Sequence, residues 1–404
     1  MLRKNYFSSQ IIFILFIAVF ITSCKTDEEI PAADAFRGDI ISYELLHHYT
    51  SAQSDSVLAA YDPALLSYPN DYEIEIYKVI YKTIDANDNE VQASGAIVIP
   101  INSDIQFPLC LYDHGTVVMR EEVPSRESEE ILIGISYACG GYATALPDYL
   151  GMGDSPGLHP YCHAKTEASA SVDILRATRN LCEEKQIQLN DQLFIFGYSQ
   201  GGHAAMATTK DIQENYADEF TITASAPMSG PYDMDGAQTD FVLQDAPYGA
   251  PFYLPYLMFA YNEIYDMYDA PSDFLIAPYD QTLPALFDGY HDGWEIDNAM
   301  PSIPKQIIKT DVLEDFMNNP ENPFRLALIQ NDLTNWKPTI PMIMYYCTAD
   351  ELVNYQNAIN AQNAFVANGS TTTATYQPSA SASHTDCAEP CFIFARNTFD
   401  ALKE

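Results

Sequence analysis

Between residues 107 and 228, short apolar runs bounded by turn residues alternate with helical stretches, and this alternation leaves few folds open to the chain. The runs at 108–113, 142–146, 192–196 and 221–228 read as strands, and 129–139, 165–184 and 201–216 as helices. A strand that is apolar on both sides must be covered on both faces, and helices lying between such strands supply the cover. The rhythm resumes with a strand at 340–347, a helix near 355–366, a strand near 372–376 and a last helix after Glu389. The expected class is α/β, with a mostly parallel central sheet and helices on both faces. Upstream, 73–84 and 92–101 alternate and β-branch as two strands joined at 85–89, while 38–61 reads as helices outside the sheet. The 85–89 turn begins like a calcium loop, but Glu90 stands where that loop needs glycine and Ala96 where it needs a carboxylate, so the hairpin is preferred. Between about 231 and 336 the rhythm is missing and Tyr, Phe, Pro and Asp crowd together, which predicts an inserted, mainly helical cap within one domain over 37–404.

The first 23 residues read as a leader. Arg3 and Lys4 precede 11 unbroken apolar residues, Ile11 to Ile21, too short to span a bilayer but right for a signal-peptide core. The run ends in Thr22-Ser23-Cys24, which resembles a bacterial lipobox, so Cys24 is the expected lipidation site. The acidic Asp27-Glu28-Glu29 that follows resembles the surface-export signal of Bacteroidota-type lipoproteins, and 24–36 reads as a tether. The expected location is the cell envelope, lipid-anchored, at the outer membrane and open to the cell surface, with membrane contact through the anchor alone. A net charge of −37 repels phosphate backbones and excludes nucleic acid as a partner. With 47% hydrophobic and 12% aromatic residues, the chain is no disordered acidic tail.

The chemistry centres on Gly197-Tyr198-Ser199-Gln200-Gly201, which directly follows the apolar run Leu193–Phe196 and precedes the small-residue stretch Gly202-His-Ala-Ala-Met206. Glycines on both sides permit the sharp strand-to-helix turn that lifts a serine hydroxyl off the strand end. A second G-x-S-x-G match, around Ser155, fails: Pro156 lacks the N–H that should help bind an oxyanion, and no helix follows at once. A serine nucleophile needs a base, and the base an orienting carboxylate; where the serine sits on a strand–turn–helix elbow of this kind, the chain order is Ser, acid, His. His203, His291 and His384 follow Ser199; His203 directly follows the elbow on the helix and reads as a packing residue, His291 lies in the cap, and His384 lies between the final strand and the last helix. Asp350 is the preferred acid, with Glu351 as the alternative, since either carboxylate can orient an imidazole. The turn after the third strand, His114-Gly115-Thr116, offers the Thr116 amide as oxyanion donor beside that of Gln200, with His114 as a turn-packing residue.

These motifs, with Leu146-Pro-Asp-Tyr-Leu-Gly-Met-Gly-Asp-Ser155 and His159-Pro-Tyr161, resemble the α/β-hydrolase superfamily and, more narrowly, the secretory lipase-like esterases over about 75–400. The resemblance implies the α/β-hydrolase fold and a serine ester hydrolase that works through an acyl-enzyme, without a cofactor. A serine peptidase of the same fold and a non-catalytic surface-binding lipoprotein are the alternatives. The expected partner is a small-molecule, lipid-linked or glycan-linked ester, and the oligomeric state stays open. Phe252, Tyr253, Tyr256 and Phe259 in the cap are candidate substrate contacts. His159, Cys162 and His163 have the types of metal ligands, but Pro160 blocks helical pairing, so no metal is expected. Cys110 and Cys347 read as buried hydrophobes within strands, while Cys387 and Cys391 are spaced to close a short bridge, with Cys139, Cys162 and Cys182 as possible partners.

Overall fold

In a computed structural model that describes residues 36–61 and 68–404, the hairpin of β2 (Glu73–Ile84) and β3 (Glu90–Ile101) is fixed by its turn. The Asp85 carboxylate accepts from the Asn87 and Asn89 amides at 2.8 and 2.9 Å, so the group that resembled a calcium ligand closes the turn itself. The leader, Cys24 and all of the tether but Phe36 lie outside the described residues. Region 38–61 departs from expectation. It holds an edge strand, β1 (Ile40–Tyr49), antiparallel to β2, followed by α1 (Ser51–Tyr61). Two register shifts along β1 break its alternation, which is why no strand period was legible there.

The rest of the sheet is parallel. In chain order come β4 (Gln106–Asp113), α2 (Ile131–Cys139), β5 (Ala143–Pro147), α3 (Ala164–Glu184), β6 (Gln188–Tyr198), α4 (Gln200–Asn215) and β7 (Ile222–Met228). The cap then supplies α5 (Thr239–Val242), α6 (Tyr253–Tyr265), α7 (Pro271–Phe274), α8 (Tyr279–Thr282), α9 (Gly293–Asn298), α10 (Thr310–Asn318) and α11 (Pro323–Gln330). The sheet layer closes with β8 (Met342–Tyr345), α12 (Gln356–Ala367), β9 (Thr373–Tyr376) and α13 (His384–Leu402). Among the described residues the sheet has nine strands in the order β1-β2-β3-β5-β4-β6-β7-β8-β9, with β5 through β9 mutually parallel.

Strand periodicity divides the core. On β4 and β6, Cys110, Tyr112, Phe194 and Phe196 point to the face covered by α2 and α13, while Leu109, Leu111, Leu193 and Ile195 point to the face covered by α3 and α4. All eight are at most 2% exposed, so both faces are sealed and the central strands read as continuous apolar runs. The cap has a core of its own, built from residues such as Tyr256, Tyr261, Phe274 and Ile296. No helix among the described residues is long and apolar enough to cross a membrane.

Two further expectations are corrected. The last helix starts at His384, not after Glu389: Ser383 caps it by accepting from the Asp386 amide, and Pro390 lies inside it. Because Cys387 and Cys391 therefore sit one turn apart on a helix, they do not bridge one another. Cys387 pairs with Cys347, and Cys391 is a free, buried thiol.

Candidate active site

Parallel strands deliver their following loops to one edge of the sheet. Asp113 at the end of β4 lies beside Gly197 near the end of β6, and Met228 at the end of β7 beside Tyr345 at the end of β8. The turns after β4 and β6, the loop after β8 and the start of α13 converge there. Ser199 sits between β6 and α4 at φ 61° and ψ −123°, a conformation costly for a residue with a side chain. Its neighbours must be glycines: a Cβ on Gly201 would lie 1.9 Å from the Asp113 carbonyl oxygen, and one on Gly197 2.2 Å from that of Gly201.

The structure brings Ser199, His384 and Asp350 together. The Ser199 hydroxyl lies 2.9 Å from His384 Nε2, and His384 Nδ1 lies 2.7 Å from Asp350 Oδ2. An ionised carboxylate only accepts, so Nδ1 carries the proton and Nε2 is left to accept from the serine. The other Asp350 oxygen accepts from the Leu352 and Val353 amides at 3.0 and 2.8 Å, which fixes the carboxylate. Glu351 does something else: its Oε2 accepts from the His384 backbone amide at 3.0 Å and thereby satisfies the first N–H of α13. Tyr198 Oη donates to the His384 carbonyl at 2.5 Å, a support that sequence reasoning missed. The Cys347–Cys387 bridge joins the loop that carries Asp350 to the helix that carries His384.

The turn after β4 passes close to the serine, where a Cβ on Gly115 would lie 3.9 Å from Ser199 Cβ. Among the described residues, neither the Thr116 nor the Gln200 backbone amide donates a hydrogen bond, and the latter opens α4, where the helix dipole favours negative charge. The Thr116 hydroxyl is occupied with Tyr161 Oη at 2.9 Å. Ser155 is buried in its loop, and no imidazole is hydrogen-bonded to its hydroxyl among the described residues. His114 packs in its turn against Tyr149, and His291 pairs with Asp288 on the cap surface.

Cys162, Glu167 and His203 have donor atoms within 4.8 Å of one another, a grouping that could hold a metal ion. Glu167 and His203 already bond each other at 2.6 Å, and burial pushes the Cys162 thiol up, against the thiolate a metal would need. His159 and His163 are committed to the Leu150 carbonyl and the Thr166 hydroxyl. The donor set fits a closed hydrogen-bonded cluster better than a metal centre.

An apolar cleft of about 910 Å³, its open mouth included, runs from Ser199 and Gln200 into the cap. Of the four cap aromatics expected to contact substrate, only Tyr253 lines it. Tyr256 stacks on Tyr161 at 4.6 Å, Phe259 packs on Phe287 at 5.3 Å, and the Phe252 amide is held by Asp297. These three are cap core. Helical spacing is the reason: 252, 256 and 259 recur on one face, whereas Tyr253, Leu254, Leu257 and Met258 form the face of α6 that meets the cleft. That period was the signal available in the sequence. Val312, Phe316, Phe324 and Leu328 complete the wall from α10 and α11.

The family model of the secretory lipases matches residues 127–234, a stretch that includes Ser199. No curated protein matches the sequence. Among solved structures, the rice cell wall degrading esterase LipA of Xanthomonas oryzae is 28% identical, with a TM-score of 0.82 over 91% of this chain and 99% of that one. A protein of Legionella pneumophila is also 28% identical, with a TM-score of 0.82 over 90% of this chain and 98% of that one. Lipase A of Candida antarctica, at 17% identity and a TM-score of 0.66 over 91% and 83%, shares the fold. Sheet order and the strand–turn–helix at Ser199 define an α/β-hydrolase. Within that class the chain is similar to lipase- and esterase-like hydrolases, as the motifs implied.

Proposed function

We propose that the protein is a serine carboxylic-ester hydrolase acting through an acyl-enzyme. The observation that carries the reading is the continuous hydrogen-bond chain from Asp350 through His384 to Ser199, set at the end of an apolar cleft. The Ser199 hydroxyl attacks the ester carbonyl while His384 Nε2 takes its proton, and Asp350 stabilises the imidazolium that forms. The Thr116 and Gln200 amides bind the oxyanion. Collapse expels the alcohol, which receives the proton from His384, and water releases the acid by the same route. The cleft wall of leucine, methionine, valine and aromatic side chains suits an apolar acyl group. Attachment to the envelope through a lipid on Cys24 is part of the proposal and is supported by the leader and its cysteine.

The test is a chain-length series of nitrophenyl esters set beside aminoacyl-anilides. Ester turnover is expected with little or no anilide turnover. Ser199→Ala should abolish turnover and Ser155→Ala should keep most of it. Equal loss in both variants, each folded, would overturn the assignment of the nucleophile.

A further inference from the structure

Behind the elbow lies a chain of buried polar groups that the reaction as described does not use. Glu167, in the first turn of α3, is 1% exposed and makes two contacts: Oε2 with His203 Nδ1 at 2.6 Å, and Oε1 with Gln200 Nε2 at 2.9 Å. Gln200 Nε2 also lies 2.7 Å from His159 Nε2, while His159 Nδ1 lies 2.8 Å from the Leu150 carbonyl. His203 Nε2 lies 3.0 Å from the Asn331 carbonyl.

The proton positions follow from the acceptors. Leu150 O can only accept, so His159 carries its proton on Nδ1 and accepts at Nε2 from Gln200. The second proton on Gln200 Nε2 goes to Glu167. His203 faces two acceptors, Glu167 and Asn331 O, and donates from both nitrogens. Burial opposes that charge, but the Glu167 carboxylate raises the His203 pKa above its ordinary value. Both protons of the Gln200 amide are thus spent on fixed partners, and its orientation is unique.

We infer that Glu167 is a positioning residue for the oxyanion donor: it pins the Gln200 side chain and so holds the backbone amide of the same residue towards the ester carbonyl oxygen. Through His203 and Asn331 the anchor reaches the cap. Asn331 accepts from the Ala164 amide at 2.8 Å and donates to Tyr265 Oη of α6 at 2.9 Å. The inference rests on the esterase reading.

The experiment compares wild type, Glu167→Ala, Glu167→Gln and Gln200→Leu with nitrophenyl butyrate as substrate and an alkyl trifluoromethyl ketone as the tetrahedral mimic. Glu167→Ala should lower kcat about 10- to 100-fold, the scale of a donor misplaced by a fraction of an ångström to one ångström, with KM changed by less than about threefold. Inhibition by the ketone should weaken in parallel. Glu167→Gln can still accept from Gln200 and donate to His203 Nδ1, and should recover kcat to within about fivefold of wild type. Gln200→Leu keeps the backbone amide and the Glu167–His203 pair but removes the pin, and should show the same kcat loss, which keeps the inference testable if Glu167→Ala does not fold. Full kcat in Gln200→Leu, or a loss in Glu167→Ala carried by KM alone, would overturn the inference and leave the esterase reading standing. Wild-type protein inert to both ester and ketone would overturn the two together.

Discussion

His384 meets Asp350 through one ring nitrogen and Ser199 through the other, partners 34 and 185 positions away in the chain. Those three residues were legible because each obeys a local rule: glycines around a strained serine, a carboxylate just past a strand, a histidine after the last strand. Asp350 was preferred to Glu351 but the sequence left both open, since adjacent carboxylates differ only in the direction the loop gives them. Glu167 was invisible for another reason: a glutamate in a first helical turn ordinarily faces solvent and favours the helix dipole. His159 gives a prediction at this scale. Burial pushes its pKa down from 6.5 to about 4, so between those values the unfolded chain binds a proton that the folded protein does not. Its share of stability, up to about 3 kcal/mol, is whole above pH 6.5 and is lost as the pH falls towards 4. In His159→Gln, which can still accept from Gln200, the unfolding free energy measured by denaturant titration should fall less steeply across that window. Identical slopes would contradict the assignment.

Elements were read best where both faces are buried. The β4, β6 and β7 runs and the helices α2 to α4 came through with shifts of a few residues at their ends, because continuous apolar runs and long helical periods leave little choice. Edge elements did not: β1 has register shifts and an exposed face, and α13 carries a proline that marked a false start. The Cys347–Cys387 pair belongs to this scale, since it joins β8's loop to α13 across 40 residues. A Cys347→Ala/Cys387→Ala double variant should lose about 2–4 kcal/mol of unfolding free energy. It should also lose kcat more than KM, because Asp350 and His384 are no longer joined by that bond. Unchanged stability and unchanged kcat would mean that the bridge does not hold the two together.

For the molecule as a whole, an acidic body bearing a charge of −37 carries its apolar surface inward, in a two-sided sheet core and in a cleft under the cap. The missing strand rhythm marked the cap, but its inner face was missed, because aromatic residues serve core and cleft alike and the period that separates the two is readable only along α6. Leu257 is the test of that face: Leu257→Trp should cut kcat/KM for long-chain nitrophenyl esters about tenfold or more while leaving the acetate within about threefold. A uniform loss across chain lengths would place the acyl group elsewhere. The central claim, a covalent ester on Ser199, is reached most directly by mixing the protein with a nitrophenyl ester, quenching in acid within the first turnovers and mapping the adduct by peptide mass spectrometry. The acyl mass should appear on the peptide that contains Ser199, and should vanish in Ser199→Ala together with turnover. An acyl group on any other residue, or turnover that survives Ser199→Ala, would contradict it.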